Sequence, residues 1–211
     1  MKEIAIVGAG AMGREVHLMI QQINKFRPTW DVCGYIDKED RVGEYVAGVP
    51  IIGSLERLER CCSENYIVCI SDTSKLMSFG LMILEYGGSL PNLVHPSVFD
   101  FSDCVTVGRG NIFSFGFHLT TNIMIGDFNF FNTRVTIGHD SKIGSANIFS
   151  PNVQISGSSI IGDQNEFGLG SSLLQDLTVG NSNFVGGHSL VVRDLANCDR
   201  VFGAPAISMT I

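Results

Sequence analysis

The sequence predicts an α/β domain over residues 1–92, followed over residues 93–211 by a three-faced parallel β-helix ending in a C-terminal cap. Two observations carry this reading. As far as residue 92, strand-like apolar runs alternate with segments of helical spacing. From Phe101 onward helical periodicity vanishes and every sixth residue is apolar.

In the first domain, "EIAIVG" reads as a buried strand that runs into Gly8, Gly10 and Gly13, a G-x-G-x-x-G turn. "REVHLMIQQI" has helical spacing, and "WDVCGYID" is a second strand ending at Asp37. "GSLERLERCCSE" is expected to be a helix, "YIVCI" a third strand, and "TSKLMSFGLMILEYGG" a helix stopped by glycine. Strands alternating with helices imply a parallel sheet, here half of a Rossmann unit.

In the second domain, stepping by six from Phe101 to Val191 gives sixteen apolar stops in a row. A short repeat of this length is the mark of a solenoid. The six-residue step nests inside a step of eighteen: Val107-Gly108, Ile125-Gly126, Ile143-Gly144, Ile161-Gly162 and Val179-Gly180 are each followed three residues later by Asn. Phe113, Phe131, Phe149 and Phe167 form a second column, and Leu119, Ile137, Ile155, Leu173 and Val191 a third. Three hexads therefore make one coil. Four- or five-residue strands stacked about 4.8 Å apart should form its flat faces. Glycine after the inward residue, and Asn at the corner, suit left-handed backbone, and stacked Asn side chains can pair between coils.

The net charge is −7 and Lys/Arg runs are absent, which excludes the phosphate-tracking surface of a nucleic-acid binder. The longest other apolar run, Leu76–Leu84, is too short to span a bilayer. Six cysteines without a C-x-x-C pair suggest a reduced, cytoplasmic protein with buried thiols. Phenylalanines at 113, 115, 117, 128, 130 and 131 look too numerous for one prism interior, so some are expected to pack elsewhere.

A His-Asp pair, His139-Asp140, sits inside the repeat two residues past inward Ile137. Imidazole there can accept a proton near neutral pH, or be a solvated corner residue. Asp140 would orient the ring, contact an acceptor, or satisfy turn amides. In the N-terminal domain, Asp37 stands where a carboxylate meets a ribose or base, and Lys38 beside it suits a phosphate. That spacing also suits NAD, but 92 residues are about half of a dinucleotide domain.

The hexads [VI]-G-x-x-N-x, with "IAIVGAGAMGREV", "VCGYID", "GVPIIGSLERL", "LVHPS", "FNTRVTIGHDSKIG", "IFSPNVQISG" and "FGAPA" in this order, resemble bacterial hexapeptide-repeat sugar acetyltransferases. These are the sialic-acid O-acetyltransferase and UDP-4-amino-sugar N-acetyltransferase group. The resemblance spans nearly the whole chain and implies a left-handed coil, an exception to the usual crossover rule. It also implies acetyl-CoA as co-substrate, a nucleotide-linked amino-sugar held by the N-terminal domain, and a homotrimer with active sites between subunits. His139 becomes the general base and Gly157, eighteen residues on, the oxyanion donor. Asn132 matches an acceptor contact, and Gly168, Gly186 and Arg193 are expected to meet coenzyme A.

Three positions depart from the family pattern: Met12 in the glycine turn, Ile148 where many relatives have histidine, and Ile207 where a basic residue is common. O-acetylation of a sialic-acid-like sugar is the nearest alternative. A metal-dependent hydratase would need His118, His139 and His188 to converge. A non-catalytic nucleotide-sugar sensor is a third reading, and no metal is expected in the first.

Overall fold

The computed structural model describes residues 1–60, 63–99 and 103–209. It divides into two compact units, Met1–Pro96 and Ser97–Ile211, so the boundary falls four residues beyond the expected 92. Cys61, Cys62 and Phe101, the first stop of the hexad run, lie outside the described residues.

In the first unit, β1 (Lys2–Val7) is an inner strand of the sheet, with Ile4, Ala5, Ile6 and Val7 fully buried. Helix α1 (Ala11–Phe26) follows it and buries Val16, Met19, Ile20 and Ile23, the helically spaced apolar positions. β2 (Trp30–Asp37) pairs parallel with β1. β3 (Tyr45–Val46) and β4 (Val49–Ser54) form a hairpin, and β4 pairs parallel with β2. β5 (Tyr66–Val68) completes the sheet order β3-β4-β2-β1-β5. Helix α2 (Thr73–Glu85) is capped by Asp72, which accepts from the Lys75 amide, and it ends before Gly87 at φ +81°.

Two elements differ from expectation. The hairpin was not announced by the sequence pattern. Its turn places both Ala47 (φ 50°) and Gly48 (φ 80°) in the left-handed region, as a two-residue hairpin requires. The "GSLERLERCCSE" segment is not an α-helix: Leu55–Arg60 is two 3-10 turns broken at Arg57 (φ −137°, ψ 38°). Leu58 is its only fully buried side chain with described burial, too little apolar contact to stabilise a longer helix.

The second unit is the three-faced parallel coil. One face stacks strands 105–107, 123–125, 142–143, 160–161 and 178–179. The second stacks 112–113, 130–131, 148–149, 166–167, 184–185 and 200–202, and the third 118–119, 136–137, 154–155, 172–173 and 190–191. Each strand is two or three residues long, shorter than the four or five expected, because the corners take the rest of every hexad. Register is kept at eighteen: Ile125 pairs with Ile143, Phe131 with Phe149 and Ile137 with Ile155. Phe113, Phe131, Phe149 and Phe167 stack at 4.9–5.1 Å between ring centroids. The inward columns are buried except Val107 and Leu119, half-buried in the first coil. The last coil shortens, pairing Phe184 with Arg200, and strand 207–208 closes the end antiparallel.

The corners carry the closure. Fourteen successive positions spaced by six, from Gly110 to His188, have φ between 54° and 69°. Left-handed backbone is thus periodic, but the Asn column does not supply it. Gly110, Phe128, Ala146, Gln164 and Ser182, one residue before each Asn, do. The glycines after the inward residues are required for another reason: a Cβ on Gly126 would lie 2.8 Å from the Gly144 carbonyl of the next coil.

Asn111, Asn129, Asn147, Asn165 and Asn183 instead turn under the corner with at most 2% exposure. Each amide from Asn129 onward donates to the previous Asn Oδ1 at 3.0 Å, and its backbone N–H reaches the same oxygen at 2.8–2.9 Å. An opposite ladder lies two residues earlier: Arg109 N donates to Asp127, Asp127 N to Ser145, Ser145 N to Asp163 and Asp163 N to Asn181. The two ladders staple one corner in both directions.

Phe113, Phe117, Phe128, Phe130 and Phe131 are buried and only Phe115 is exposed. The thiols are less buried than expected: Cys69 is enclosed, Cys33 half-buried, and Cys104 and Cys198 are exposed. Cys198 sits in a tight turn at φ 62°, which carries it out to solvent. No helix among the described residues is long and apolar enough to cross a membrane.

The Asn ladder yields a stability prediction. Asn147→Ala removes the acceptor of the Asn165 amides and should lower unfolding free energy by about 1–3 kcal/mol, measured by denaturant titration. Wild-type stability would show that the corner closes without it.

Candidate functional site

His139 lies on the corner joining strand Thr136–Ile137 to strand Lys142–Ile143. Ile137 is fully buried and anchors the corner from within. Asp140 occupies the left-handed position, at φ 58°, a conformation that Asp tolerates better than most residues. Its backbone N–H donates to the Thr121 carbonyl at 3.0 Å, and the Ser158 N–H donates to the His139 carbonyl at 2.7 Å. The corner backbone is therefore tied to the coil on each side.

The side chains are exposed but paired. His139 Nδ1 lies 2.7 Å from Asp140 Oδ2, and Asn122 Nδ2 donates to Asp140 Oδ1 at 3.1 Å. Hydrogen bonds from His139, then Asn122, hold the Asp140 carboxyl below the usual carboxylate range. Because folding lowers this value, the pairing is fully present above the usual range and is lost only as pH falls through the lowered one. A charged carboxylate only accepts, so it favours the tautomer that donates from Nδ1–H and carries its lone pair on Nε2.

The Nε2–Cε1 side of the ring packs against Gly157. A Cβ added to Gly157 would stand 2.6 Å from His139 Nε2 and 2.7 Å from Cε1. Glycine thus leaves the volume into which the imidazole edge settles. Gly157 accepts from Asp176 through its carbonyl at 3.1 Å, whereas its own N–H makes no hydrogen bond among the described residues. A proton acceptor and an unused amide donor are brought together on adjacent coils. This arrangement can deprotonate a nucleophile and stabilise an oxyanion.

The other expected residues lie elsewhere. Asn132 belongs to the preceding corner, where its Oδ1 accepts from the Thr133 N–H at 2.7 Å. Gly168 and Gly186 share that corner column, and their N–H groups are already donated to the Val185 and Val201 carbonyls. Neither has an amide left for a coenzyme. Arg193 is exposed. His118, His139 and His188 do not converge, and no metal-binding group of His, Cys, Asp and Glu occurs among the described residues. Ile148 is 6% exposed, whereas Ile207 is open to solvent.

At the N-terminal turn, Gly8 has φ +106° and a Cβ there would meet the Cys69 carbonyl at 2.5 Å. A Cβ on Gly13 would run into the Gly8 carbonyl. Gly10 differs: a Cβ added there would have nothing within 4 Å, and the residue caps α1 with ordinary extended backbone. Asp37 is 8% exposed and committed to the protein, its Oδ2 accepting from Ala9 N at 2.6 Å and its Oδ1 from Lys38 N at 2.8 Å. Arg41 Nη1 stands 3.2 Å from the same carboxylate. His17 is a buried imidazole whose Nδ1 lies 2.8 Å from Tyr35 Oη in the core. Burial lowers the His17 value and pushes Tyr35 up to about 12.

Two residues escaped the sequence reading. Asn122 has a signal in hindsight, lying eighteen residues before Asp140 in the same left-handed column. Arg41 follows Asp37 by four residues, but across a 3-10 turn that the pattern did not reveal.

The family described as the PglD N-terminal domain matches residues 3–75. No curated protein matches the chain in sequence. Among solved structures, a histidine-to-asparagine variant of perosamine N-acetyltransferase from Caulobacter crescentus, in complex with CoA and GDP-perosamine, superposes with TM-score 0.88 at 25% identity, covering 100% of this chain and 98% of its own. WeeI from Acinetobacter baumannii AYE shares the fold at TM-score 0.85 and 21% identity, over 99% of this chain and 100% of its own. So does the acetyltransferase domain of PglB from Neisseria gonorrhoeae FA1090 in complex with acetyl coenzyme A, at TM-score 0.74 and 21% identity, over 99% of each chain. With a PglD-type N-terminal domain followed by a left-handed parallel β-helix, the chain is similar over its whole length to bacterial hexapeptide-repeat sugar acetyltransferases.

Proposed function

We propose that this protein transfers the acetyl group of acetyl-CoA to the amino group of a nucleotide-linked amino-sugar, with His139 as general base. The observation that carries the reading is the imidazole held by Asp140 at 2.7 Å with its free nitrogen against Gly157. The full-length likeness to a perosamine N-acetyltransferase crystallised with CoA and GDP-perosamine supports the substrate class.

In the proposed step the sugar amine attacks the thioester carbonyl. Nε2 of His139 takes a proton from the amine as the C–N bond forms. Charge develops on the carbonyl oxygen, which the Gly157 N–H stabilises; such a donor is worth ~3 kcal/mol of barrier. The C–S bond then breaks, and the departing thiolate recovers the proton from the imidazolium. Asp140, anionic throughout, favours the imidazolium that forms transiently.

Arg193, exposed near the end of the coil, suits a coenzyme phosphate. Gly168 and Gly186, whose amides are already bonded, would offer coenzyme A a flat wall. Asn132 is a sugar contact in the same reading. The N-terminal domain would hold the nucleotide, with Lys38 at its phosphates. There the open space around Gly10 lets a ligand approach the first amides of α1. Asp37 acts in this reading by fixing the turn. The nucleotide is assigned as uridine diphosphate on the family resemblance. A homotrimer with the acyl-donor groove between copies belongs to the proposal, with exposed Phe115, Leu169, Leu174 and Val192 as its apolar surface. A cytoplasmic location goes with these substrates.

His139→Ala should lower kcat by ~10²-fold or more with coenzyme A binding retained; an unchanged rate would remove the residue from the mechanism. Two glycine variants separate chemistry from folding. Gly157→Ala pushes only on the exposed imidazole, so thermal stability should hold while kcat falls by about 10²-fold. Gly138→Ala instead meets the Gly157 backbone nitrogen at 2.5 Å and should cost about 1–3 kcal/mol of stability. Equal destabilisation by both would make Gly157 a mere corner residue. Gly10→Val should weaken sugar-nucleotide binding by about tenfold, in calorimetry against UDP- and GDP-linked amino-sugars, and spare coenzyme A. Tighter binding of the GDP-linked sugar would overturn the uridine assignment, and an unaffected Gly10→Val would place the nucleotide elsewhere.

A further inference from the structure

The left-handed column at the His139 corner contains Asn122, Asp140, Ser158 and Asp176, with φ of 56°, 58°, 57° and 61°. Residues in one such column sit one coil apart with parallel backbones, so their side chains leave the prism side by side. Asn122 and Asp140 exploit this: the amide nitrogen reaches Asp140 Oδ1 at 3.1 Å. The other carboxylate oxygen, Oδ2, meets His139 Nδ1 at 2.7 Å. One carboxylate is thereby shared between two donors, and its plane is fixed from both sides.

Little else restrains it. The Asp140 side chain is 51% exposed and the His139 side chain 60% exposed, so packing restrains the carboxylate weakly and the ring mainly through Gly157. Apart from the His139 ring, Asn122 is the one side-chain partner of the Asp140 carboxylate among the described residues. With that donor lost, the carboxylate is free to rotate and hydrate, and the imidazole is free to exchange tautomers or swing from Gly157.

We infer that Asn122 is a positioning residue that acts through Asp140 to keep the His139 proton on Nδ1 and the Nε2 lone pair aimed at the reacting amine. The inference rests on the general-base reading of His139 and deepens it. Asn122 touches neither substrate nor coenzyme in this account. It sets a geometry that the base needs, in the way a second-layer hydrogen bond orients a catalytic imidazole.

The test uses the full-length protein. Asn122→Gly removes the amide without strain, since glycine accepts φ 56° freely. Asn122→Asp keeps the shape but cannot donate. Both should lower kcat by about tenfold while KM for acetyl-CoA and for the amino-sugar nucleotide stays within about twofold. In an Asp140→Gly background, Asn122→Gly should add less than about a twofold loss, because its path to His139 is already cut. Side-chain ¹⁵N resonances of His139, recorded without substrate, should move from the Nδ1–H tautomer toward a mixture in both single variants.

Wild-type kcat with an unchanged tautomer would overturn the inference. So would losses that multiply across the double variant, or full activity in Asn122→Asp. A shifted tautomer with undiminished kcat would instead uphold the positioning role and sink the general-base reading, which His139→Ala tests independently.

Discussion

A residue with φ near +60° at every sixth position is what allows strands of two residues to close into a triangular prism. Such strands have almost no stability alone. They persist because each turn brings the chain back eighteen residues later, in register with itself. Most backbone groups then find a partner on a neighbouring coil, and each inward side chain lands on another apolar one. Each non-glycine corner costs about 1 kcal/mol or more, and the stacked phenylalanines and the buried Asn ladder offset it.

The same register builds the site. His139 and Gly157, eighteen residues apart, would be strangers in any other fold, yet here the imidazole occupies the space that a Gly157 side chain would need. Asn122 and Asp140 are brought together by the same interval. A solenoid with a fixed repeat therefore lets chemistry be assembled by substitution in three successive coils, without any special loop. The left-handed column does the aiming, because its side chains project outward where the inward columns cannot reach. Exposure is the corresponding cost: the imidazole is held by one carboxylate and the contact with Gly157, and that carboxylate is bonded on both oxygens.

The N-terminal unit solves its own positioning problem differently. Asp37 commits its carboxylate to the Ala9 and Lys38 amides, tying the end of β2 to the glycine turn after β1. A turn fixed in this way can present the first amides of α1 without contributing a charged ligand itself. Gly8 and Gly13 are demanded by close backbone contact, while Gly10 is not demanded by anything in the chain. Motif glycines that look equivalent in a sequence are thus separable by what a Cβ would touch.

Period and residue type were enough to specify the α/β unit, the coil, its inward columns, the pairing of stacked Asn side chains and the His139-Asp140 corner, because these depend on local repetition. The β3–β4 hairpin stayed hidden because Ala47-Gly48 lacks the usual Asn-Gly signature, and a hairpin turn tolerates it only when the flanking strands pair. Which residue of each hexad is left-handed, that Asn turns inward, and that Gly168 and Gly186 have no amide to offer were decided by coil-to-coil hydrogen bonding. So was the meeting of Asn122 with Asp140, a coil away. Sequence alone set which side chains repeat; the stacked structure decided which of them meet, because contact across eighteen residues exists only once the chain has returned to its own edge.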